Sequence, residues 1–296
     1  MTKFKRTFSF LLNHPLGKKH PAQTIFRFMI WQLQCLLSPA KMKVKNFVGP
    51  VKFYANKGLT GITGNIYTGL HEFDDMGFLI HFLRPDDIFF DIGANVGSYT
   101  LLASGLCGAN STSIEPAKKT FDILSKNIVL NNIHPKVTLI NAVAGGSASS
   151  IVFTQNEDTM NHVVSADESK RDTAELAVIT IDSLLKNGGP ALIKMDVEGY
   201  ETEVLKGMGE TLTNTTLQAI IIELNGSGGR YGFDEHKIHE LLLSKGFRPY
   251  TYDTFTRQLN LLENYGSYNT IYCRDMSFIN DRVKNAKAVK IMGEMI

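Results

Sequence analysis

Residues Ile88 to Tyr99 have the types and spacing of a ligand-binding turn. The stretch reads IFFDIGANVGSY: an apolar run closed by an aspartate, a loop with two glycines, and a segment able to start a helix. Glycine permits a sharp turn and a close approach of ligand to backbone, and amides at a helix start attract carboxylate or phosphate. We therefore predict that a small polar ligand contacts Asp91, Gly93, Asn95, Val96, Gly97 and Ser98.

The glycine spacing separates this turn from two common phosphate-binding motifs. It is G-x-N-x-G rather than G-x-G-x-x-G, because Asn95 replaces the second glycine and Ser98 the third. No Gly-Lys-Ser/Thr follows, which argues against Walker-type phosphate binding. The pattern resembles the glycine-rich motif of class I S-adenosylmethionine (SAM) methyltransferases, which holds the amino-acid end of the cofactor. A plain tight turn is the structural alternative.

A second carboxylate stands where a ribose-binding residue is expected. The segment STSIE reads as a short strand that ends at Glu115, 18 residues after Gly97. In Rossmann-like sheets an acidic residue at about this distance hydrogen-bonds the ribose hydroxyls of the cofactor. We predict this role for Glu115; the alternative is a carboxylate that only starts the helix after Pro116.

A third block carries a family resemblance. Leu192 to Val204 reads LIKMDVEGYETEV, and with DIGANVGSYTLLAS and SIEP it resembles the FkbM family of SAM-dependent methyltransferases over about Tyr67 to Leu224. The family consists mostly of O-methyltransferases of sugars, polyketides and related natural products. The resemblance implies SAM as cofactor and a hydroxyl of a sugar, glycan or glycosylated natural product as acceptor. N-methylation, a protein or lipid acceptor, and a SAM- or nucleotide-binding module without catalysis are the alternatives.

Methylation of a hydroxyl needs a general base, or a metal that lowers the hydroxyl pKa. Asp196 ends one predicted strand, and Glu223 and Asn225 end the next, so all three face the ligand edge of an open α/β sheet. We predict Asp196 and Glu223 as catalytic residues, with His162 as an alternative base. Asp196, Glu223 and Asn225 also form an oxygen set suited to Mg²⁺ or another divalent cation. A purely structural role for Asp196 is helix capping, and Lys194 is expected to snorkel or pair with a carboxylate.

Three further cofactor contacts follow from the resemblance. Glu72 lies near the position of a Tyr/Glu pair in the family, although His71 stands where the family commonly has tyrosine. Glu72 either contacts the methionine ammonium or caps a helix. The loop after the third strand borders the adenine ring in this architecture, so Asn141 and Ala142 are predicted contacts, with a turn-forming asparagine as the alternative.

The elements that position these residues indicate an α/β fold. Apolar runs at 191–195 and 217–224 are typical of strands buried on both faces of a parallel sheet. We predict a Rossmann-like, mostly parallel seven-stranded sheet with helices on both faces over residues 67–296, its last two strands forming a hairpin. The polar stretch 147–177 is predicted to be an insertion or lid. Residues 1–66 are predicted to form an N-terminal extension: a mobile or loosely packed basic arm at 1–20, an apolar helix at 24–37 and a β-hairpin.

Composition limits the partners. The net charge is only +2 and the pI about 8.3, so no nucleic-acid partner is expected. Three separated cysteines indicate neither disulfides nor zinc, and the start lacks a signal-peptide pattern, so a cytoplasmic location is predicted. The helix at 24–37 is too short to span a bilayer. It either packs against the catalytic domain or a second copy in a homo-oligomer, or lies peripherally on a membrane, anchored by flanking lysines.

Overall fold

The computed structural model describes residues 3–39, 41–155, 161–164, 172–185 and 188–296. Its described strands are β1 (Lys43–Asn46), β2 (Lys52–Ala55), β3 (Ile88–Ile92), β4 (Asn110–Ile114), β5 (Val137–Ile140), β6 (Val143–Ala144), β7 (Ser149–Thr154), β8 (Thr173–Ile179), β9 (Leu192–Met195), β10 (Ala219–Glu223), β11 (Arg248–Asp253), β12 (Gln258–Leu261), β13 (Asn269–Cys273), β14 (Lys290–Ile291) and β15 (Glu294–Met295).

The described helices lie before, between and after these strands. They are α1 (Lys3–Asn13), α2 (Pro15–Lys19), α3 (Pro21–Leu37), α4 (Thr60–Thr68), α5 (Phe73–Phe82), α6 (Ser98–Thr100), α7 (Lys118–Leu130), α8 (Glu201–Lys206), α9 (Gly209–Thr213), α10 (Glu235–Ser244) and α11 (Met276–Lys284). A π-helix, Leu101–Leu106, continues α6.

The central sheet has the Rossmann-like order expected of a class I methyltransferase. Among the described residues it contains eight strands in the order β12-β11-β13-β10-β9-β3-β4-β5. Strands β5, β4, β3, β9 and β10 are mutually parallel, and β13 is antiparallel to both of its neighbours. The carboxyl ends of the five parallel strands therefore meet at one edge, where ligands bind in open α/β sheets.

The sheet differs from the prediction in its last strands. Seven strands were expected, and β12 is an eighth strand of the described sheet. The hairpin partner of β11 is β12, with Asp253 opposite Gln258, whereas β13 pairs between β11 and β10. The sequence QLNL of β12 is short and largely exposed, so it lacks the apolar run that marks a buried strand.

Alternate residues of the central strands enter different cores. In β10, Ala219 and Ile221 pack with α5 residues on one face, whereas Ile220 and Ile222 pack with Val204 and its neighbours on the other. This follows from the two-residue period of a strand. A sheet buried on both faces holds the side chains at its carboxyl edge in fixed positions.

The N-terminal region is more ordered than predicted. Residues 1–20 were expected to be a mobile arm, but α1 and α2 are helical and Leu11 and Leu16 are fully buried. His14 Nε2 is also hydrogen-bonded to the carbonyl oxygen of Leu70 at 2.7 Å. The predicted hairpin is confirmed, since β1 and β2 are antiparallel with Lys43 opposite Ala55.

The predicted insertion contains regular structure. Its strand β7 pairs antiparallel with β8, and β8 pairs parallel with β6, to form a small separate sheet. Residues 156–160 and 165–171 of the insertion lie outside the described residues. Phe153 and Val163 form an isolated bridge near the start of the insertion. Across the described ranges, no helix is long and apolar enough to cross a membrane.

Candidate active site

A cavity of about 410 Å³ lies at the carboxyl edge of the sheet. Its floor comes from the ends of β3, β4, β9 and β10, and its sides come from the segment before α5 and from the insertion. This volume is within the range of small-molecule sites. The predicted residues that line the cavity are Glu72, Asp91, Gly93, Asn95, Ser98, Glu115, Asp196 and Glu223.

The turn after β3 bonds mainly to its own chain. The amides of Gly93 and Ala94 both donate to the carbonyl oxygen of Ile114, at 3.0 and 2.9 Å. The amide of Asn95 donates to Glu115 Oε2 at 2.9 Å. These three amides have acceptors within the chain, so the predicted binding of a ligand by backbone amides concerns those at the start of α6, for which it stays a prediction. The turn thereby fixes β3 and β4 relative to each other.

Gly93 is required because another loop passes close to it. Its φ is +80°, and a Cβ there would lie 1.8 Å from the carbonyl oxygen of Asp196. No other residue tolerates both the left-handed backbone and that contact. The glycine therefore lets the segment after β9 approach the turn after β3 and places Asp196 beside the cavity.

Asp91 and Glu115 are almost fully buried carboxylates that support the turn. Asp91 Oδ2 accepts from the Thr100 amide at 3.0 Å and from the Thr100 hydroxyl at 2.5 Å. Glu115 Oε1 accepts from the Ala117 amide at 2.8 Å. Burial raises the pKa of Asp91 to about 6 and that of Glu115 to about 7. Both carboxylates can therefore change protonation state near neutral pH.

Glu72 does not use its side chain to cap α5. No side-chain capping bond is present at that helix start, and Glu72 Oε2 instead accepts from the Tyr99 hydroxyl at 2.6 Å. Burial, followed by the charge of Glu72, raises the pKa of Tyr99, so the phenol stays protonated and donates. Tyr99 lines the cavity and was not predicted, although it lies within the glycine-rich motif.

Lys194 lies at the centre of a buried polar network under the cavity. Its Nζ is 3.3 Å from Asp196 Oδ2 and donates to Asn269 Oδ1 at 3.0 Å. Asn269 Nδ2 in turn donates to Asp75 Oδ2 at 3.0 Å. Burial opposes the charged form of Lys194, but the charges of Asp196, Glu72 and Glu223 outweigh it and raise the pKa. The ammonium is thus paired with Asp196, as predicted, and is too buried to snorkel to solvent.

Three carboxylates converge above Lys194. Oxygens of Asp196, Glu198 and Glu223 lie within 4.8 Å of one another. Burial and the charge of Asp196 raise the pKa of Glu223 to about 9. Burial opposes the ionisation of Asp196, but the Lys194 charge and a hydrogen bond from Glu223 outweigh burial and lower the pKa of Asp196. At neutral pH Asp196 is ionised and Glu223 carries a proton.

Several predicted residues lie away from the cavity surface. Val96 is in the hydrophobic core, and Asn141 Nδ2 donates to the carbonyl oxygens of Glu115 and Pro116 at 2.8 and 2.9 Å. Asn225 is exposed and accepts from the Ser227 amide, so it does not join the carboxylates. The predicted residues absent from the cavity lining are Val96, Gly97, Asn141, Ala142, His162 and Asn225.

Neighbours of these residues line the cavity instead. Val143 and Ala144 replace Asn141 and Ala142, an offset of two residues along the same loop. Asn161 and Val163 line it on either side of His162, whose side chain is buried and whose amide donates to Thr154 Oγ1 at 2.9 Å. The third member of the oxygen cluster is the carboxylate of Glu198, in the DVEG sequence, whereas the predicted third metal ligand was the amide of Asn225.

Comparison with known proteins identifies the family. The profile of the methyltransferase FkbM domain matches residues 91–249, more than half of the chain. The chain belongs to the FkbM methyltransferase family. The resemblance seen in the sequence is thereby confirmed, and this FkbM protein is a SAM-dependent methyltransferase.

This FkbM methyltransferase is similar to named methyltransferases of other organisms. It is 32% identical over 178 residues to the hexuronic acid methyltransferase AglP of Haloferax volcanii, and this match covers 58% of this chain and 67% of AglP. It is 27% identical over 209 residues to the methyltransferase sdnD of Sordaria araneosa, covering 59% and 79% of the two chains. The solved precorrin-6y C5,15-methyltransferase of Geobacter metallireducens is 13% identical, with a TM-score of 0.42 over 75% of this chain and 94% of that one.

Proposed function

We propose that this FkbM protein transfers a methyl group from SAM to a hydroxyl of a sugar or a glycan. The observation that carries the proposal is the ionised carboxylate of Asp196, held at the cavity by the buried ammonium of Lys194. A carboxylate in that position can accept a hydroxyl proton. The acceptor class is supported by the 32% identity to a protein named as a hexuronic acid methyltransferase.

The cavity offers hydrogen-bond acceptors and apolar walls that fit SAM. The carboxylate of Glu115 would bind the ribose hydroxyls, as in other Rossmann-like sheets. Glu72 would bind the cationic amino-acid end, with the Tyr99 hydroxyl orienting its carboxylate. Apolar side chains of the same cavity would cover the adenine ring: Ile114, Pro116, Val143, Ala144 and Phe153.

The reaction requires deprotonation of the acceptor at the moment of transfer. When bound, SAM supplies an electrophilic methyl group that the acceptor oxygen attacks in line with the breaking bond to sulfur, so that S-adenosylhomocysteine is the leaving group. Asp196 takes the hydroxyl proton, and Lys194 keeps Asp196 ionised beforehand. Glu223 carries a proton and hydrogen-bonds Asp196, which orients the carboxylate toward the acceptor. The apolar walls and the insertion exclude water from the transfer.

A divalent cation is a second way to activate the hydroxyl at the same place. The donor set would be Asp196, Glu198 and Glu223, because their oxygens converge and hard cations prefer carboxylates. A cation there would lower the pKa of a bound hydroxyl. Turnover that survives EDTA treatment assigns the activation to Asp196 alone, whereas turnover lost to EDTA and restored by Mg²⁺ assigns it to the cation.

The proposal predicts that Asp196→Asn abolishes most turnover and leaves SAM bound. The protein is incubated with SAM and hexuronic acid glycosides, and mass spectrometry measures a gain of one methyl group. Loss of a general base lowers the rate by about 10²- to 10⁴-fold. Calorimetry should show SAM affinity within about threefold of wild type, because the cofactor contacts proposed above lie at Glu72 and Glu115.

Glu240→Gln serves as the matched control, since Glu240 is an exposed carboxylate of α10 outside the cavity. It should turn over like wild type. If sugar acceptors gain no methyl group while amine, protein or lipid acceptors do, the sugar assignment is wrong. If Asp196→Asn turns over at the wild-type rate, Asp196 is not the base.

A further inference from the structure

Helix α3 has two apolar faces, and only one of them is buried. Thr24, Phe28, Trp31 and Cys35 recur every three or four residues and pack into the protein. The opposite face carries large apolar side chains at the same spacing, which are exposed to solvent. They are Phe26, Met29, Ile30, Leu33, Leu36 and Leu37, with Leu36 78% and Leu37 75% exposed.

Such a face is unusual on a protein surface. Single exposed apolar residues are ordinary, but a contiguous stripe along one helix indicates an interaction surface. The 17 residues of α3 span about 25 Å at 1.5 Å per residue. Val44 of the neighbouring strand β1 is 47% exposed and adds to the apolar surface of this region.

The chain segment that contains the helix carries charges of one sign, although Glu294 lies at the start of α3, 2.8 Å from His20 Nε2. Residues 1–71 contain eleven lysines and arginines and no aspartate or glutamate, whereas all 29 acidic residues of the chain follow position 71. Lys41 is exposed just beyond the end of α3. Lys43 and Lys45 place their ammonium groups 5.8 and 5.2 Å from the Trp31 ring centroid, beside the same helix. Lys19 is an exception, because it pairs with Glu294 at 2.9 Å.

We propose that the exposed face of α3 docks on the surface of a membrane that contains anionic lipid. An apolar helix face bordered by cations is the pattern that inserts at the boundary between headgroups and acyl chains. Basic residues beside it are attracted to acidic headgroups. The occupant is lipid rather than a second copy, because a twofold contact through α3 would place two such cationic regions against each other.

Docking through this face would bring the catalytic cavity near the membrane. Helix α3 packs on α4, where Gln32 Nε2 donates to the Tyr67 hydroxyl at 3.0 Å and Arg27 Nε donates to the Ile66 carbonyl at 2.7 Å. Gly61, at the start of α4, lines the cavity. Helix α4 therefore contacts the docking helix and also contributes to the wall of the site.

Flotation of the full chain with vesicles tests the proposal. Vesicles of phosphatidylcholine alone are compared with vesicles that also contain phosphatidylserine, at low and high salt. We expect flotation with the anionic vesicles, weakened by salt because the lysines contribute. The triple variant Leu33→Ser, Leu36→Ser, Leu37→Ser should float about tenfold less or worse, and Lys41→Glu should reduce flotation to anionic vesicles.

The matched control is Lys126→Glu with Val129→Ser on α7, where an exposed lysine and valine lie apart from any apolar stripe. It should float like wild type. The substituted side chains of the triple variant are exposed, and circular dichroism checks that it stays folded. Absence of flotation with anionic vesicles overturns the proposal, as does equal flotation of the triple variant and the control. Light scattering tests the alternative occupant. If the wild-type protein is a dimer and the triple variant is a monomer, the face binds a second copy, and the membrane proposal is wrong.

Discussion

At the scale of single residues, buried carboxylates of the site fix the backbone around them. Glu115 was predicted to hold a ribose, and in the structure its two oxygens accept from the amides of Asn95 and Ala117. Asp91 similarly holds Thr100. These internal bonds orient the carboxylates before a ligand arrives, which lowers the cost of binding. A substitution at Glu115 should therefore affect both folding and cofactor affinity.

We predict that Glu115→Gln weakens SAM binding by about tenfold or more. The amide nitrogen of glutamine cannot accept, so one of the two backbone amides loses its acceptor, and the ribose loses a charged partner. The free energy of unfolding should fall by about 1–3 kcal/mol, the usual effect of an unpaired buried donor. Calorimetry with SAM and urea denaturation measure the two effects. Glu240→Gln, at an exposed site, should change neither, and wild-type SAM affinity in Glu115→Gln would remove Glu115 from the cofactor site.

At the scale of elements, the site depends on two loops meeting. The turn after β3 and the segment after β9 touch at Gly93 and Asp196. The strand-turn-helix order was predictable because the apolar run of β3 and the glycines after it are local features. The contact between the two loops was not, since it depends on β3 and β9 lying side by side with Asp91 opposite Lys194. Asn269 was missed for the same reason: it reaches Lys194 through a pairing between β10 and β13.

Gly93→Ala should separate these two loops. An added Cβ would meet the Asp196 carbonyl oxygen at 1.8 Å, and the residue must also keep a φ of +80°. Gly246→Ala is the matched control, because Gly246 has a φ of +86° with nothing within 4 Å of the added Cβ. The control should cost about 1–2 kcal/mol of unfolding free energy from the left-handed backbone alone. Gly93→Ala should cost clearly more in urea denaturation and lose turnover; equal losses in the two variants would show that the close contact relaxes freely.

The N-terminal helices show where sequence patterns stop being informative. Residues 1–20 look basic and irregular, yet α1 and α2 are fixed by the burial of Leu11 and Leu16 and by the bond from His14 to Leu70. Those partners lie far along the chain, so no local pattern reveals them. Helix α3 was predicted as one apolar element, and only the structure separates its buried face from its exposed one. By contrast, the strands predicted from the apolar runs at 191–195 and 217–224 are confirmed, because β9 and β10 lie within those ranges and continuous apolar runs are local features.

At the scale of the whole molecule, positive and negative charges are separated along the chain. The first 71 residues hold no acidic side chain, and buried carboxylates gather around the cavity. Burial raises the pKa of Glu115 and Glu198, which line the cavity, to about 7. These groups keep protons that they would lose in the unfolded chain at the same pH. A positive charge in the cavity would favour their ionised forms.

This arrangement predicts opposite pH dependences for stability and for cofactor affinity. A carboxyl whose pKa is higher in the folded than in the unfolded state stabilises the fold below about pH 4, and that contribution is lost as pH rises to about 7. Buried histidines contribute in the opposite direction below about pH 6.5, because burial lowers the pKa of His14 and His81 to about 4. Urea denaturation of the ligand-free protein should thus show a lower free energy of unfolding at about pH 8 than at about pH 6.5. The sulfonium charge of SAM favours the ionised carboxylates, so SAM should bind more tightly as pH rises through about 7. Below that pH, binding should release protons. Calorimetry in buffers of different ionisation enthalpy measures this release. S-adenosylhomocysteine, which lacks the sulfonium charge, should show a weaker pH dependence. Equal pH dependence for the two ligands would mean that the buried carboxylates do not respond to the sulfonium charge.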